Sequence, residues 1–564
     1  MSEESNSDGP SLATSSLGYL RERARRFLLA TIIVTGIACG ASAVAFHDLV
    51  RICTHLLIES ATQIDGPFRI PIVVGTPVLV AALLALIINR FAPGTGGANL
   101  ARVRLAYHRD PSLLNWRTVV ATFFLTPLSL GSGVPLGPES PTVVVSSGIS
   151  VALAKFLHLP KRIVRGMIPV GTAAGIAAIF NTPIAAVVFA LEEILGTAQR
   201  GVLGSAIVAS VAAAVVQKML LGGEPLLGVA TASWTDEREL IGFALVGIIA
   251  GLVSGCSIHV MKRGRSLLSR AVPNWPVRAA VAGALIGITG LAVPSIFGVG
   301  YDSMNLWLSG GGTLESTGIA FAAKTLAFIV AVSGGLIGGT FAPSLFAGTA
   351  LGAAVGHAAT LVIPEAGIHP GAYALVGMGA FFAGLLRNPI ASVLIVIELT
   401  RDYDLILPLM LAVALSIAIS RKIARHNLVD HQMGEEGFTA EESDPDPAAR
   451  IPVSLVMTRP ARVMQRDVSI LQGVRSVAGT RHRVYPVVDE RGRLEGIVKR
   501  DRLDEAARED ILERPVIDVT EPAPYAPRES DPLGVAVRGL ARHQLTRCPV
   551  VSADGDLRVV GFLS

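Results

Sequence analysis

Hydrophobic and polar positions divide this 564-residue chain into three stretches. Residues 1–20 are polar and rich in Ser and Gly, with too few apolar positions to build a core, and are expected to be disordered. From 21 to 432 apolar runs dominate, the long ones covering 27–50, 70–88, 202–216, 240–260, 277–293 and 405–419. Roughly 20 apolar residues suffice to cross a bilayer as a helix. Two further runs, 142–157 and 388–399, look too short to do so. Helices that stop at membrane depth are tolerated only where the freed backbone lines a cavity or is buried in protein, so the short runs predict broken helices around a site. After an acidic, Pro-containing linker at 433–450, the pattern changes to the short strands and amphipathic helices of a charged soluble domain.

The apolar region repeats itself. Gly137-Pro138-Glu139-Ser140-Pro141 opens one copy and Gly339-Thr340-Phe341-Ala342-Pro343 the other. Gly171 and Gly377 are each followed twelve residues later by a Pro-Ile-Ala triplet, at Pro183 and Pro389, and nine residues further by a glutamate, Glu192 and Glu398. The offset between copies runs from 202 residues (137 to 339) to 206 (183 to 389), and the copies occupy about 25–222 and 238–430. A doubled hydrophobic scaffold with short, Gly/Pro-interrupted helices at corresponding positions points to a transport site near the bilayer midplane.

Composition agrees, with 51% of residues apolar, only 16% charged and 58 glycines, a balance unsuited to a soluble protein of this length. The first apolar run follows Arg21, Arg23, Arg25 and Arg26, like the start of a signal peptide. It is longer than a signal core and lacks a convincing cleavage site, so it reads as a retained membrane helix. By the positive-inside rule this cluster lies in the cytoplasm, as do Lys161-Arg162 with Arg165 and Arg421-Lys422 with Arg425. The N-terminus and the soluble tail are expected on that side of a bacterial inner or plasma membrane. Cys39, Cys53, Cys256 and Cys548 have neither metal nor disulfide spacing. A net charge of +4 without a basic stripe gives no reason to expect nucleic acid as a partner. An enzyme is poorly supported, because the apolar block holds no His-Glu-x-x-His motif and no nucleophile elbow.

An ionisable residue at membrane depth is costly and is a functional candidate by default. Glu139 lies where a Gly/Pro-rich turn meets an apolar helix, with Pro141 suited to the first turn, so backbone N–H groups and the positive end of the helix dipole converge there. Such a place suits an anion. A carboxylate in it occupies the anion's position when ionised and leaves when protonated, which links anion to proton movement; the competing reading is a glutamate that caps only its own helix. Phe341, its repeat-mate, brings no charge, so the N–H groups of the Thr340-Phe341 turn are expected to be free for a ligand; the competing reading is a hydrophobic anchor. Gly94-Thr95-Gly96-Gly97-Ala98 is a third glycine-rich turn, in which Thr95 offers a hydroxyl, though such a turn alone is more often a plain loop. Lys324 lies fifteen residues before Gly339, where the other copy has Thr122. It either supplies positive field to an anion path or snorkels to the surface.

In the tail two units align. Residues 453–457, a helix-like stretch at 470–478, a strand at 484–488, a turn at Asp489 and a strand at 494–498 are followed by 516–519, a helix near 533–540, and strands at 548–551 and 559–563. The hydrophobic-Pro-Val-Val and Gly-hydrophobic-hydrophobic pattern resembles a tandem pair of CBS modules, 451–510 and 511–564, the second cut short. The resemblance implies a regulatory or dimer-stabilising α/β tail. An adenine nucleotide is the one candidate cofactor it suggests, but Lys499 and Arg502 stand where such modules usually hold Ser/Thr and Asp.

The membrane region resembles the CLC family of chloride channels and chloride/proton antiporters in the order and spacing of its motifs. Gly137 to Pro141 stands for the family's G-[KR]-E-G-P, Gly339 to Pro343 for G-x-F-x-P, and Gly94 to Ala98 for G-S-G-I-P; Gly131-Ser132-Gly133-Val134-Pro135 is a decoy directly before the glutamate turn. The resemblance implies an all-α polytopic fold of two inverted repeats with broken and re-entrant helices. It further implies a homodimer with one chloride pathway per subunit, Glu139 as external gating glutamate, and Thr95, Gly96, Gly137, Pro138, Thr340 and Phe341 around the anion. Glu193 falls on the internal proton-transfer glutamate that antiporters keep, which favours exchange of chloride and protons over a passive or weakly coupled, voltage-gated-type chloride channel. Counting from Leu405-Ile406-Leu407-Pro408 puts Val429 where the family has its pore tyrosine, and Pro138 and Ser140 replace a basic residue and a glycine beside Glu139. A hydroxyl-poor inner gate predicts weaker central anion binding and leakier exchange.

Overall fold

Proline in first turns and left-handed residues after last turns set the helix limits of the apolar region. Pro183, Pro370 and Pro389 each open a helix, where the missing N–H has no intrahelical partner to lose. Asn181, Arg387 and Arg401 follow helix ends at φ of 55°, 64° and 57°. The structure, a computed structural model, describes residues 12–64, 66–92, 100–196, 200–222, 227–228, 234, 237–435, 451–480, 482–509 and 511–564. Contacts group the chain into two units, Met1–Thr439 and Ala440–Ser564.

The first copy of the repeat holds α1 (Leu12–Thr54), α2 (Ser60–Thr62), α3 (Arg69–Phe91), α4 (Leu100–His108), α5 (Trp116–Gly131), α6 (Glu139–Phe156) and α7 (Lys161–Phe180). It ends with α8 (Pro183–Phe189), which continues as a π-helical turn over Ala190–Leu195, and α9 (Arg200–Leu221). The second copy holds α10 (Glu239–Ala271), α11 (Trp275–Ala292), α12 (Tyr301–Leu308), α13 (Leu314–Gly334), α14 (Phe341–Val362) and α15 (Pro370–Leu386). It closes with α16 (Pro389–Thr400), α17 (Ile406–Ile423) and α18 (Leu428–Glu435). Nine helical stretches among the described residues are long and apolar enough to cross a membrane, while α15 and α16 are apolar but shorter. One limit differs from expectation: α1 starts at Leu12, inside the stretch expected to be disordered. No proline interrupts 11–54, so a helix anchored in the apolar run extends back into polar sequence.

Packing obeys the same scheme twice. α1 packs on α9 and α7, and α6 on α7; correspondingly α10 packs on α17 and α15, and α14 on α15. Small residues set the closest of these approaches. A Cβ on Gly36 of α1 would lie 2.5 Å from the carbonyl oxygen of Ala209 in α9, and one on Gly251 of α10 would lie 2.6 Å from that of Ser416 in α17. Gly251→Leu is therefore expected to force α10 off α17, at a cost of about 3 kcal/mol or more, read as loss of a monodisperse peak when the purified protein is sized in detergent. The copies meet at Gly137 and Gly339, which exchange both backbone hydrogen bonds in an antiparallel bridge (N to O 2.8 and 2.6 Å). Equivalent residues that pair with each other in this way mark a local two-fold relation, as inverted repeats require.

In the tail β1 (Met464–Gln465) pairs parallel with β2 (Val484–Val488), and β2 antiparallel with β3 (Leu494–Lys499). β4 (Cys548–Val551) pairs antiparallel with β5 (Val559–Leu563). α19 (Ile470–Val477) and α20 (Arg500–Arg508) belong to the first half, and α21 (Leu533–Arg542) to the second. The two halves exchange their leading segments. Val453 and Met457 pack with Ala536, Leu540, Cys548 and Leu563 of the second half, whereas Val516 packs with Met464, Ile470, Tyr485 and Val498 of the first. Hydrogen bonds repeat the exchange, from Val453 N to Asp531 O (2.9 Å) and from Ile470 N to Arg514 O (2.9 Å). A boundary drawn at 510/511 thus separates similar sequences but not separate cores, because local pattern does not say which core receives a short leading segment. Burial in this second core pushes the Cys548 thiol up to about 12.

Candidate functional site

The pairing of Gly137 with Gly339 brings two helix N-termini, those of α6 and α14, side by side. Glu139 is the first residue of α6 and is fully buried. Its Oε2 accepts from the backbone N–H of Ala342, 3.3 Å away in the first turn of α14, and its buried Oε1 has no hydrogen-bond partner among the described residues. The carboxylate therefore reaches across to the other copy's helix. The N–H groups at the Phe341 turn were expected to be free for a ligand; that of Ala342 is instead taken by Glu139, because the two-fold relation puts one copy's charge at the other copy's positive helix end. Gly137 is needed for this pose, since a Cβ there would collide with Glu139 Oε2. Pro138 withholds an N–H and accepts from Thr142 through both its backbone (3.0 Å) and its hydroxyl (2.8 Å).

Thr340 precedes the first turn of α14 and is buried. The Phe341 ring anchors the turn from below, 4.9 Å from Phe180, 4.3 Å from Phe382 and 5.9 Å from Phe189, centroid to centroid. Thr95 and Gly96 lie outside the described residues. Among the described residues, Lys324 neither snorkels nor pairs with a carboxylate. Fully buried in α13, its Nζ donates to the carbonyls of Ile296 (2.9 Å), Gly298 (2.6 Å) and Val299 (3.4 Å) and sits 4.4 Å over the Phe346 ring. The carbonyls belong to the loop before α12, and Phe297, Gly298, Val299 and Tyr301 line, with Pro138, a cavity of about 500 Å³. Lys324 thus holds the wall of the space that leads to the Glu139 turn.

A second cavity of about 770 Å³ holds Glu193 with Arg104, Arg387, Asn388, Asn427 and Asp430 on its wall. Glu193 sits in the π-helical turn that prolongs α8 and is buried. One oxygen takes Arg104 Nη1 at 3.3 Å and the other takes Asn388 Nδ2 at 2.6 Å. The same Arg104 Nη1 also reaches Asp430 at 2.8 Å. Val429 is buried in the main apolar core, so this position gives the second cavity no polar group. Arg104 and Asp430 were not singled out in the sequence. The only hints were a cation in a short helix after the glycine turn and an acid directly after Val429, and neither reveals a partner more than 300 residues away in the chain (104 to 430).

The repeated glutamates turn out to be reciprocal caps. Glu192 accepts from the N–H groups of Ile390 (3.2 Å) and Ala391 (2.9 Å) in the first turn of α16, and Glu398 from those of Ile184 (3.1 Å) and Ala185 (2.6 Å) in the first turn of α8. Glu192→Ala is expected to lower stability by about 1–2 kcal/mol, and the double variant with Glu398→Ala by roughly twice that, measured as thermal unfolding in detergent.

Broken helices aimed tip to tip between two inverted halves, with a buried carboxylate at one tip and cavities toward both ends, define a membrane transporter of anions. Residues 80–421 match the family described as voltage gated chloride channel, and residues 453–509 match the CBS domain. The chain belongs to that chloride channel family, an integral, multi-pass class of anion transport proteins, and carries a C-terminal CBS domain. It is similar to the H(+)/Cl(-) exchange transporter ClcA of Citrobacter koseri, 28% identical over 402 residues, or 69% of this chain and 85% of the relative. The ClcA of Salmonella typhimurium is 27% identical over 400 residues, with 69% and 85% covered. Two crystal structures share the fold. A slow cyanobacterial Cl-/H+ antiporter aligns over 72% of this chain and 97% of its own at TM-score 0.68 and 22% identity, and a eukaryotic CLC transporter over 95% and 97% at TM-score 0.66 and 17%.

Proposed function

We propose that this chain exchanges chloride for protons, with Glu139 as the outer gate and Glu193 as the inner proton-transfer residue. The observation that carries the reading is the bond from Ala342 N–H to Glu139 Oε2: a buried carboxylate occupies the helix N-terminus that an anion would use. Protonation removes its charge and releases the N–H groups to chloride, so one event serves both ions. Gly137, Pro138, Thr340 and Phe341 shape that place, and Thr95 and Gly96 of the third glycine-rich turn are proposed as further anion ligands on the sequence alone. Lys324 adds positive field from behind the outer cavity wall. Glu193 fits the other end, because a carboxylate on a cavity wall can take protons from water while Asn388 and Arg104 hold it in place. Identity to H(+)/Cl(-) exchange transporters over most of the membrane region supports the same reading. Looser coupling than in such relatives is favoured by one residue, Val429, which offers the inner anion no hydroxyl.

The assay is a chloride gradient across proteoliposomes with internal pH and chloride recorded together. Uphill proton movement driven by chloride is the expected result; chloride flux without proton movement would make the protein a channel or an uncoupled carrier. The protein works as a homodimer with its N-terminus and CBS tail in the cytoplasm, and light scattering of the detergent-solubilised protein tests the dimer. An adenine nucleotide is the ligand proposed for the tail, where Arg462, His482, Tyr485 and Arg547 line a cavity of about 360 Å³. Lys499 and Arg502 do not serve it, being paired with Glu521 (2.8 Å) and Glu505 (2.7 Å). Titration of the full-length protein with ATP, read by calorimetry, decides that point.

A further inference from the structure

Two guanidinium groups on the wall of the inner cavity carry a buried Nε without a partner among the described residues, Arg104 and Arg387. Their other nitrogens differ. Arg387 is forked onto backbone carbonyls of Ser420, Ala424 and Arg425 and so ties down the end of α17. Arg104 is held by carboxylates alone among the bonds described, Nη1 being shared between Glu193 and Asp430. A guanidinium has five N–H donors in a planar fork, and one that is mostly buried with unspent donors is a place for an anion.

The two carboxylates on Arg104 are not equivalent. The Glu193 side chain is 1% exposed, lies at 3.3 Å, and is gripped on its other oxygen by Asn388. Asp430 lies closer, at 2.8 Å, but its side chain is 36% exposed at the cavity. Its backbone is fixed. Asp430 N donates to Asn427 Oδ1 at 2.7 Å, and Asn427 Nδ2 donates to the carbonyl of Leu386 at 3.0 Å, so the first turn of α18 is held independently of the Asp430 side chain. Val429, just before it, is buried and supplies no competing polar group.

On the anion-transport reading above, we infer that Asp430 is a gating carboxylate of the inner cavity: it occupies Arg104 in the absence of anion and yields it to chloride. Carboxylate and chloride are both monovalent acceptors of N–H bonds, so chloride can take the donor that Asp430 leaves, while the displaced carboxylate keeps its own charge in the water of the cavity. Arg104 thereby becomes the inner anion ligand of a protein that has no hydroxyl at Val429. The arrangement parallels Glu139, which covers the N–H of Ala342 at the other cavity.

Chloride binding to the full-length protein in detergent, by calorimetry, tests this with Asp430→Asn, Arg104→Met and Arg104→Lys. Removing the competing charge in Asp430→Asn should tighten chloride about tenfold, the worth of one charge-assisted hydrogen bond. Arg104→Met should weaken it by a similar factor, and Arg104→Lys, which keeps the cation and serves if the methionine variant does not fold, should restore part of the loss. Opposite shifts, with the gain from Asp430→Asn lost when it is combined with Arg104→Met, support the gate; a gain that persists without Arg104 is a through-space charge effect and overturns it. A merely structural ion pair would shift both the same way, or lower the melting temperature of both with affinity unmoved, and either result overturns it. Wild-type proteoliposomes run alongside separate the two levels: no chloride flux in the wild type removes the transport reading, whereas flux with unmoved affinities removes only the gate.

Discussion

Glu139→Ala is expected to carry chloride without carrying protons. In the wild type the carboxylate is buried, with Oε2 on the N–H of Ala342 and Oε1 unpaired among the described residues. On the exchange reading it is a ligand in the anion's place and the group that takes up a proton there. The alanine removes both functions at once. Ala342 N–H and the positive end of α14 stay where the Gly137–Gly339 bridge holds them, so an anion still finds its site. In the proteoliposome assay chloride efflux should persist while chloride-driven proton uptake falls to the level of empty vesicles. Glu139→Gln, which keeps the shape and cannot ionise, should lose proton movement equally. Proton uptake that survives both substitutions would transfer the coupling role to another residue.

Glu193→Gln should separate the two ions from the opposite cavity. The amide can still pair with Asn388 but cannot exchange protons with water and loses its charge attraction to Arg104. Arg104 keeps Asp430 at 2.8 Å, so the variant is expected to fold with a loss of about 1–3 kcal/mol. Chloride flux should continue with proton movement reduced to background. Glu193→Ala leaves Asn388 unpaired as well and should melt lower than the glutamine variant by thermal unfolding in detergent. Full coupling in a folded Glu193→Gln protein would show that protons reach Glu139 by another route, for which Asp430 is the next carboxylate to test.

The candidate site was only half legible in the sequence, and the division follows from what a local pattern contains. Gly137, Glu139, Phe341 and the Pro-Ile-Ala helix starts were legible because broken helices need glycine and proline at fixed places, and doubling makes the places visible twice. The π-helical turn that carries Glu193 was not, since nothing in an apolar run marks an extra residue in one helical turn. Glu192 and Glu398 were recognised as equivalents, but not as caps on each other's helices, because a cap across repeats joins residues about 200 positions apart (184 to 398). In the tail the strands and helices read from alternation and turns lay close to where they were expected, but α20 was not foreseen, and the exchange of Val453 and Val516 between the cores was hidden.

By itself the sequence determined that this is a doubled, membrane-embedded helical protein with a charged α/β tail. Hydrophobic periodicity and breaker residues are properties of neighbours along the chain, and they survive without coordinates of any kind. The tertiary structure alone decided which charge meets which partner: Glu139 on the other copy's helix, Lys324 on three carbonyls, and Arg104 between Glu193 and Asp430. The reason is electrostatic. A charge in a low-dielectric interior is tolerated only when specific donors or acceptors surround it, and those come from whatever segments the fold brings near, at any distance in the chain.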